Sequence, residues 1–329
     1  MDFTKITGMK KGMTVTGFYL VKTAAIKNSS NGNSQYGDYT LCDETSEINA
    51  KIWDVAEPES CPRAGNIIKA QGLVNEYQGK LQLRIDKFRD ALPEDPIDPA
   101  SLVPAAPVSG DELFLAVDAY ADKIGNEQLR RLVKLALEEN MDSLLIWPAA
   151  VKNHHSIRSG LLYHTLTMLQ AAEGLLKVYT FLRSDLVYAG AILHDIAKLF
   201  ELDSTNTGIA SDYTRNGMLL GHIVQGILWV EKAAERAGID KRLSTLVQHM
   251  LLAHHYEPEY GSPRRPMFPE AELLHYLDII DSRLYDMHKA LDETEPGRFS
   301  ERLWTLHNRQ LYALTDEERE FFGGGNTEE

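Results

Sequence analysis

The sequence contains few cysteines and no long apolar run. Only two of its 329 residues are cysteine, Cys42 and Cys61, and they lack both the Cys-x-x-Cys spacing of redox and metal motifs and the number that a disulfide framework needs. No segment approaches the roughly 20 consecutive apolar residues of a membrane-spanning helix, and residues 1–15 lack the apolar block of a signal peptide. We therefore predict a cytoplasmic protein with reduced thiols and no membrane partner.

Positive charge is scarce as well. The chain has 34 Lys and Arg against 48 Asp and Glu, a net charge of −14, and residues 96–329 carry 22 of the basic and 35 of the acidic residues. A protein that coats duplex nucleic acid without specificity neutralises phosphates with Lys and Arg, so the acidic bulk argues against that class. An acidic bulk suits a protein that binds cations.

The remaining composition is that of a globular protein, with 43% hydrophobic and 25% charged residues over a length sufficient for two domains. Five short segments in the first 90 residues are rich in β-branched and aromatic residues and predict strands, at 15–21, 38–42, 47–53, 66–70 and 80–85. Turn residues separate them at 31–34, 43–46, 64–66 and 77–80. This pattern predicts a small closed barrel of oligonucleotide-binding (OB) size, although another small β-barrel would have the same strand count.

The chain changes character after the predicted barrel. Residues 92–107 contain five prolines in sixteen positions, which is typical of a linker. Beyond the linker, apolar residues recur with the period of a helix. One such segment follows Asn126, a predicted N-cap, and its apolar face consists of Leu129, Leu132, Val133, Ala136 and Leu137. We predict a two-domain protein with an OB-like barrel at 1–91, a linker at 92–108, an all-α bundle at 109–315 and an acidic, flexible tail at 316–329.

Histidine is concentrated in the helical part, with ten of the eleven residues between His154 and His288. Several of these histidines, and two aspartates, interrupt apolar helical patterns, and a buried carboxylate is costly unless it is paired or bound to a metal. A single histidine of this kind is more typical of a structural role, but the ordered set indicates a metal site. Its members are His164, His194, Asp195, His222, His254, His255 and Asp278. Imidazole nitrogens with carboxylate oxygens suit Mn²⁺, Fe²⁺, Co²⁺, Ni²⁺ or Zn²⁺ better than Ca²⁺.

The order of these residues resembles the HD-domain superfamily of metal-dependent phosphohydrolases, and His222 with His254-His255 looks like its two-metal branch. Local strings are similar to those of the YhaM-type 3′-to-5′ exoribonucleases: GLLYH at 160–164, YAGAILHDIAK at 188–198, QHMLLAHH at 248–255, GSP at 261–263 and the barrel segment 32–53. The resemblance covers nearly the whole chain, and it departs at 256–260 and in the tail. It implies a barrel that binds single-stranded nucleic acid, followed by a helical HD domain.

The resemblance also implies how the ligands are shared. One ion would be bound by His164, His194, Asp195 and Asp278, and a second by Asp195, His222, His254 and His255. Asp195 would bridge the two ions as the central catalytic residue. Mn²⁺ is the leading candidate, with Fe²⁺, Co²⁺, Ni²⁺, Zn²⁺ and Mg²⁺ as alternatives. The implied activity is stepwise hydrolysis of single-stranded RNA from the 3′ end to nucleoside 5′-monophosphates, with DNA as a second substrate.

Five residues are candidates for contacting the substrate. Lys198 lies three residues after Asp195, so on a helix it projects from nearly the same side and can reach a phosphate; the alternative is a solvent-exposed lysine. Arg264 and Arg265 follow the GSP string and form either a phosphate clamp or a solvated pair. In the barrel, Trp53 and Tyr77 are candidates for stacking on bases, although most aromatic residues of a small barrel belong to its core.

Two rival functions remain open. An HD-type enzyme could act on small nucleotides or cyclic dinucleotides, but the barrel and the lack of the Gly-Tyr-Pro tripeptide of the cyclic-dinucleotide group argue against it. A non-catalytic protein that binds single strands could hold metal as a structural element, whereas seven ligands shared by two ions leave positions open for water. The sequence is compatible with a homo-oligomer.

Overall fold

In the computed structural model the described residues are 3–29, 34–55, 57–92, 94–151, 154–204 and 207–322. Except for Ser34, the predicted turn at 31–34 lies outside these ranges, as do residues 323–329 of the predicted tail. A β-barrel comes first along the chain and a helical region follows it. Among the helices in these ranges, none combines the length and the apolar character needed to cross a membrane.

Five strands form the barrel: β1 (Thr14–Asn28), β2 (Gln35–Cys42), β3 (Glu47–Ile52), β4 (Ile67–Tyr77) and β5 (Lys80–Asp90). They close in the order β1-β2-β3-β5-β4, with β1 antiparallel to both β2 and β4 and with β3 parallel to β5. This is the five-stranded Greek-key arrangement of an OB barrel, and it confirms the predicted class. All five strands were predicted, although β1, β2, β4 and β5 extend beyond the predicted segments.

Side chains alternate between the two faces of each strand, and those that point inward fill the barrel. Among them, Tyr19, Leu41, Val74 and Leu83 are 0–1% exposed. The β4–β5 hairpin turns through Gln78 and Gly79, both with positive φ (52° and 79°), as a two-residue hairpin that follows the strand twist requires. Between Gln71 and Gly72 the pairing of β4 with β5 shifts register.

Seven longer helices make up most of the second region: α1 (Gly110–Asp122), α2 (Glu127–Leu144), α3 (Gly160–Val178), α4 (Ser184–Leu193), α6 (Arg215–Ala237), α7 (Lys241–Ala253) and α8 (Pro269–Asp292). The short α5 (Lys198–Glu201) follows α4, and a one-turn helix, α9 (Asp316–Glu320), opens the segment that was predicted as a flexible tail. The side chain of Asn126 caps α2, accepting from the amides of Gln128 and Leu129. The predicted apolar face of α2 is buried in the core of the bundle, which confirms the helical period.

One element of this region was not predicted. Strands β6 (Leu202–Ser204) and β7 (Ala210–Tyr213) form a two-stranded antiparallel sheet inside the otherwise helical region. β7 contacts β1 of the barrel, and Ile209, just before β7, packs with Leu20, Cys42 and Val103 in one buried apolar cluster. This cluster joins the two regions of the chain.

A substitution at Gly72 tests the close approach of β4 and β5. A Cβ at this position would lie 2.1 Å from the Arg84 carbonyl oxygen of β5. Because backbone atoms cannot move aside cheaply, we expect Gly72→Ala to destabilise the barrel by about 1–3 kcal/mol, measured as a lower calorimetric unfolding midpoint. Gly8→Ala is the matched control, since its Cβ would meet nothing within 4 Å. Equal midpoints for the two variants would contradict this account.

Candidate metal centre

The seven predicted ligands come from five parts of the helical region and meet at one place. His164 lies in α3, His194 and Asp195 follow α4, His222 lies in α6, His254 and His255 follow α7, and Asp278 lies in α8. Five of them are at most 8% exposed, and His222 and His255 are half-buried. The fold therefore gathers side chains up to 114 positions apart in the sequence.

A first group of donor atoms surrounds the Oδ2 side of Asp195. His164 Nε2 lies 3.3 Å from His194 Nε2 and 3.5 Å from Asp278 Oδ1. Asp195 Oδ2 lies 3.2 Å from His194 Nε2 and 3.9 Å from His164 Nε2. These four residues are the ones that the resemblance assigned to the first ion.

A second group surrounds the other oxygen of the same carboxylate. Asp195 Oδ1 lies 3.5 Å from His222 Nε2 and 3.9 Å from His254 Nε2. His255 completes this group, since its ligand atom lies within 4.8 Å of those of His222 and His254. Asp195 Oδ1, His222 Nε2 and His254 Nε2 are buried and find no hydrogen-bond partner in the described part of the chain. Three unsatisfied polar atoms facing one another are costly without a shared ligand.

These separations fit a pair of metal ions. Two ligand atoms that each lie about 2.1 Å from one ion are separated by about 3 to 4.2 Å, depending on the angle between them. The distances of 3.2 to 3.9 Å in both groups fall in this interval. A carboxylate with one oxygen toward each group is the arrangement that a bridging ligand requires.

Four of the histidines are oriented through their second ring nitrogen. Nδ1 of His194 faces the carbonyl oxygen of Ala191 at 2.8 Å, and Nδ1 of His254 faces that of Leu251 at 2.7 Å. Each acceptor lies three residues earlier in the helix that has just ended, where carbonyls lack helical partners. With the proton assigned to Nδ1, this hydrogen bond gives the carbonyl oxygen at the helix end a donor. It also orients the ring so that Nε2 points toward the site.

Carboxylates orient the rings of the other two histidines, His164 and His222. Asp281 Oδ2 accepts from Nδ1 of His164 at 2.6 Å and also contacts His155 Nε2 at 2.8 Å. Glu201 accepts from the His222 ring at 3.0 Å and from the His222 backbone amide at 2.9 Å. The sequence analysis did not identify Asp281 and Glu201, although Asp281 lies three residues after the predicted ligand Asp278, a spacing that points to the same helix face.

Gly221 sets the position of His222. It interrupts α6 with φ 67° and ψ 167°, a conformation that side-chain-bearing residues rarely adopt. The break directs the His222 amide and ring at Glu201 together.

The electrostatics keep the acids ionised. Burial opposes the charge on Asp195, but the neighbouring Lys198 and His194 hold the pKa of this carboxyl well below its ordinary value. Burial likewise opposes charge on His164, but its hydrogen bonds with Asp278 and Asp281 outweigh burial and raise its pKa to about 9. A metal ion that binds at His164 Nε2 would therefore replace a proton.

Lys198 is not the solvent-exposed lysine of the alternative interpretation. It is 8% exposed, and its Nζ lies 2.7 Å from Asp195 Oδ2, on the side predicted by the three-residue spacing. The Lys198 carbonyl accepts from Trp147 Nε1 at 3.0 Å, which fixes the short helix α5 against the bundle.

A cavity of about 460 Å³ opens above the two groups and is lined by Asp195, Lys198, His222, His255 and Asp278. Arg264 and Arg265 are exposed and do not line it; Arg265 pairs with Glu257 at 3.6 Å and lies over the Tyr256 ring. The barrel candidates are exposed, Trp53 by 49% and Tyr77 by 62%, and Trp53 packs on Tyr36 with ring centroids 5.0 Å apart. A role for any of these four residues in substrate binding stays a prediction.

Comparison with known proteins gives matches to both regions. Residues 161–283 match the family model described as HD domain. Over 302 residues the chain is 37% identical to the 3′-5′ exoribonuclease YhaM of Geobacillus sp. (strain WCH70), covering 92% of each chain.

Among solved structures, the chain is similar to the second OB-fold domain of replication protein A from Methanococcus maripaludis (19% identity, 29% of this chain and 98% of that chain, TM-score 0.23). A crystal structure of a domain of replication protein A from the same organism also matches (26% identity, 26% and 92% coverage, TM-score 0.23). At these scores the assignment of the barrel rests on its strand order.

A conservative change at Glu201 tests the orientation of His222. Glu201→Gln keeps the side-chain shape but removes the charge that holds the imidazole, so we expect the affinity for one of two Mn²⁺ ions to fall about 10- to 100-fold. Titration calorimetry on metal-free protein measures both sites. Glu235→Gln, at an exposed position of α6, the helix that carries His222, is the control. Two unchanged affinities would show that Glu201 does not support a metal ligand.

Proposed function

Because this chain belongs to the family of YhaM-type 3′-5′ exoribonucleases, we propose that it hydrolyses single-stranded RNA stepwise from the 3′ end, with two divalent metal ions bound at the seven ligands described above. The enzyme class, a metal-dependent phosphohydrolase with an HD domain, follows from the family. The observation that carries the residue-level proposal is the position of Asp195, whose two oxygens face two separate groups of donor atoms.

His164, His194, Asp195 and Asp278 would hold one ion, and Asp195, His222, His254 and His255 would hold the other. Two such ions would supply an activated water and would stabilise both the attacking and the leaving oxygens of a phosphodiester. Mn²⁺ is our first candidate, with Fe²⁺, Co²⁺, Ni²⁺, Zn²⁺ and Mg²⁺ as alternatives, since mixed nitrogen and oxygen ligands accept all of these ions with different affinities.

The protein's own groups would position the phosphate and balance its charge. Burial works against a charged Lys198, but Asp195 raises the pKa of this amine above its ordinary value, so it stays cationic. A fixed ammonium group beside the bridging carboxylate places positive charge where negative charge grows during phosphodiester hydrolysis. We therefore assign Lys198 to the scissile phosphate.

The barrel would bring the single strand to the cavity. Tyr77, an exposed candidate for base stacking, lies at the end of β4, and Lys80 at the start of β5 pairs with Glu301 at 2.7 Å. Trp304, three residues after Glu301, lines the metal cavity. This hairpin of the barrel therefore lies beside the cavity, and stacking on Tyr77 and Trp53 would tolerate any base. Single-stranded DNA would follow the same route.

Replacement of the bridging carboxylate tests the function. Asp195→Asn removes the charge that two ions would share, so we expect hydrolysis of 5′-labelled single-stranded RNA to fall to the level without enzyme, while the circular dichroism spectrum stays unchanged. Wild-type protein with Mn²⁺ should shorten the RNA one nucleotide at a time and release nucleoside 5′-monophosphates. Asp142→Asn, an exposed position on α2, is the matched control.

Two results would contradict this proposal. Near-normal turnover by Asp195→Asn would remove the bridging role of the aspartate. Hydrolysis of mononucleotides alone, with intact RNA after long incubation, would replace the exoribonuclease by an enzyme of small nucleotides.

A further inference from the structure

The metal cavity has a second wall that does not contain any of the predicted ligands. Part of it comes from the continuation of α8, where Arg283 and Asp286 follow Asp278 by five and eight residues. At 1.5 Å per residue these positions lie about 7 and 12 Å along the helix from the metal ligand. The other part is the turn Trp304, Thr305 and His307, which follows α8 in the chain.

This turn is a rigid element. It forms the tip of a hairpin, with Ser300 N donating to Leu311 O at 2.7 Å and Leu303 N donating to Arg309 O at 2.9 Å. Leu306 anchors the tip with 0% exposure, and the 3₁₀ helix Trp304–Leu306 packs against α8. Thr305 of the tip and Asp286 of α8 both line the cavity, so the tip borders the α8 part of the wall.

Trp304 nevertheless stays 71% exposed while it lines the cavity. A large aromatic ring held by a rigid backbone and left uncovered offers an apolar face at low entropic cost. Nucleic-acid bases stack on such rings without regard to their identity. An indole beside a phosphodiester-cleaving centre is therefore suited to a base.

Polar groups around the ring match the rest of a nucleotide. In the described ranges no carboxylate lies within 4.0 Å of the Arg283 guanidinium, whose Nη2 lies 3.4 Å from His307 Nε2. Its charge is thus available to a phosphate. Asp286, half-buried in the same wall, offers carboxylate oxygens that can accept hydrogen bonds from sugar hydroxyls, of which RNA has one more than DNA.

We propose that Trp304, Arg283 and Asp286 form the pocket for the 3′-terminal nucleotide of the RNA, with the base on the indole face and the ribose hydroxyls on the Asp286 carboxylate. This proposal rests on the proposed exonuclease function and adds the place of the nucleotide that is released. The cavity volume of about 460 Å³ lies within the range of about 300–1,000 Å³ for sites that enclose one small ligand. Because the hairpin tip borders the cavity on this side, the pocket would take the nucleotide at the end of a strand.

Binding of a nucleoside 5′-monophosphate tests the pocket without turnover. We expect Trp304→Ala to weaken binding of adenosine 5′-monophosphate to the Mn²⁺-loaded protein about ten-fold by calorimetry, and Trp304→Phe to restore most of it. Phe299→Ala removes an equally exposed aromatic ring of the same hairpin that does not line the cavity, and it should leave the affinity unchanged. Unchanged affinity in Trp304→Ala would overturn the proposal.

A nucleotide without ribose hydroxyls tests the contact between Asp286 and the sugar. Wild-type protein should bind adenosine 5′-monophosphate more tightly than its 2′,3′-dideoxy analogue, and Asp286→Ala should make the two affinities equal. A preference that survives this substitution would exclude Asp286 from the contact.

Kinetic constants distinguish a role of Trp304 in nucleotide binding from a role in supporting the metal centre. In Trp304→Ala we expect the KM for single-stranded RNA to rise about ten-fold, with kcat and the calorimetric affinities for Mn²⁺ unchanged. A loss of kcat or of Mn²⁺ affinity with an unchanged KM would mean that the hairpin only supports the metal centre, and would overturn the proposal. If wild-type protein leaves RNA intact but binds the monophosphate through Trp304, the proposed function fails and the pocket stands.

Discussion

The structure depends on one carboxylate that is kept charged inside a helical core. Asp195 is 3% exposed, and one of its oxygens pairs with Lys198. Its other oxygen faces two imidazole nitrogens and has no hydrogen-bond partner among the described residues. A buried charge of this kind is tolerated only where cations compensate it. The convergence of five helical segments on this residue is therefore also the arrangement in which two metal ions fit.

The geometry of the ligands comes from ordinary features of helices. α4 and α7 end just before His194 and His254, and each ring satisfies a carbonyl oxygen of the helix that it follows. In α6 a break at Gly221 aims His222 at Glu201. Helix ends and one kink thus orient three imidazoles, so that little rotational freedom is left to lose when a metal binds.

The barrel and the C-terminal hairpin contact each other next to the part of the chain that lines the cavity. The β4–β5 hairpin of the barrel contacts the C-terminal hairpin through Lys80 and Glu301, and the latter hairpin carries Trp304 to the cavity wall. In the proposed function, a strand that stacks on the barrel would be guided toward the metal centre along this contact. The proposed division of roles places strand binding, hydrolysis and terminal recognition on three adjoining surfaces.

The sequence alone determined the local features: five strands from alternation, and α2 from its apolar face and its Asn126 cap. It also indicated the histidines and aspartates that meet at the candidate metal centre. Periodicity and capping act locally, so they can be recognised along the chain. Only the tertiary structure decided which donor atoms meet. It identified Asp281 and Glu201 as supports, added the sheet of β6 and β7, buried Lys198 and left Arg264 outside the cavity. These outcomes follow from the packing of segments far apart in sequence, which no local pattern encodes.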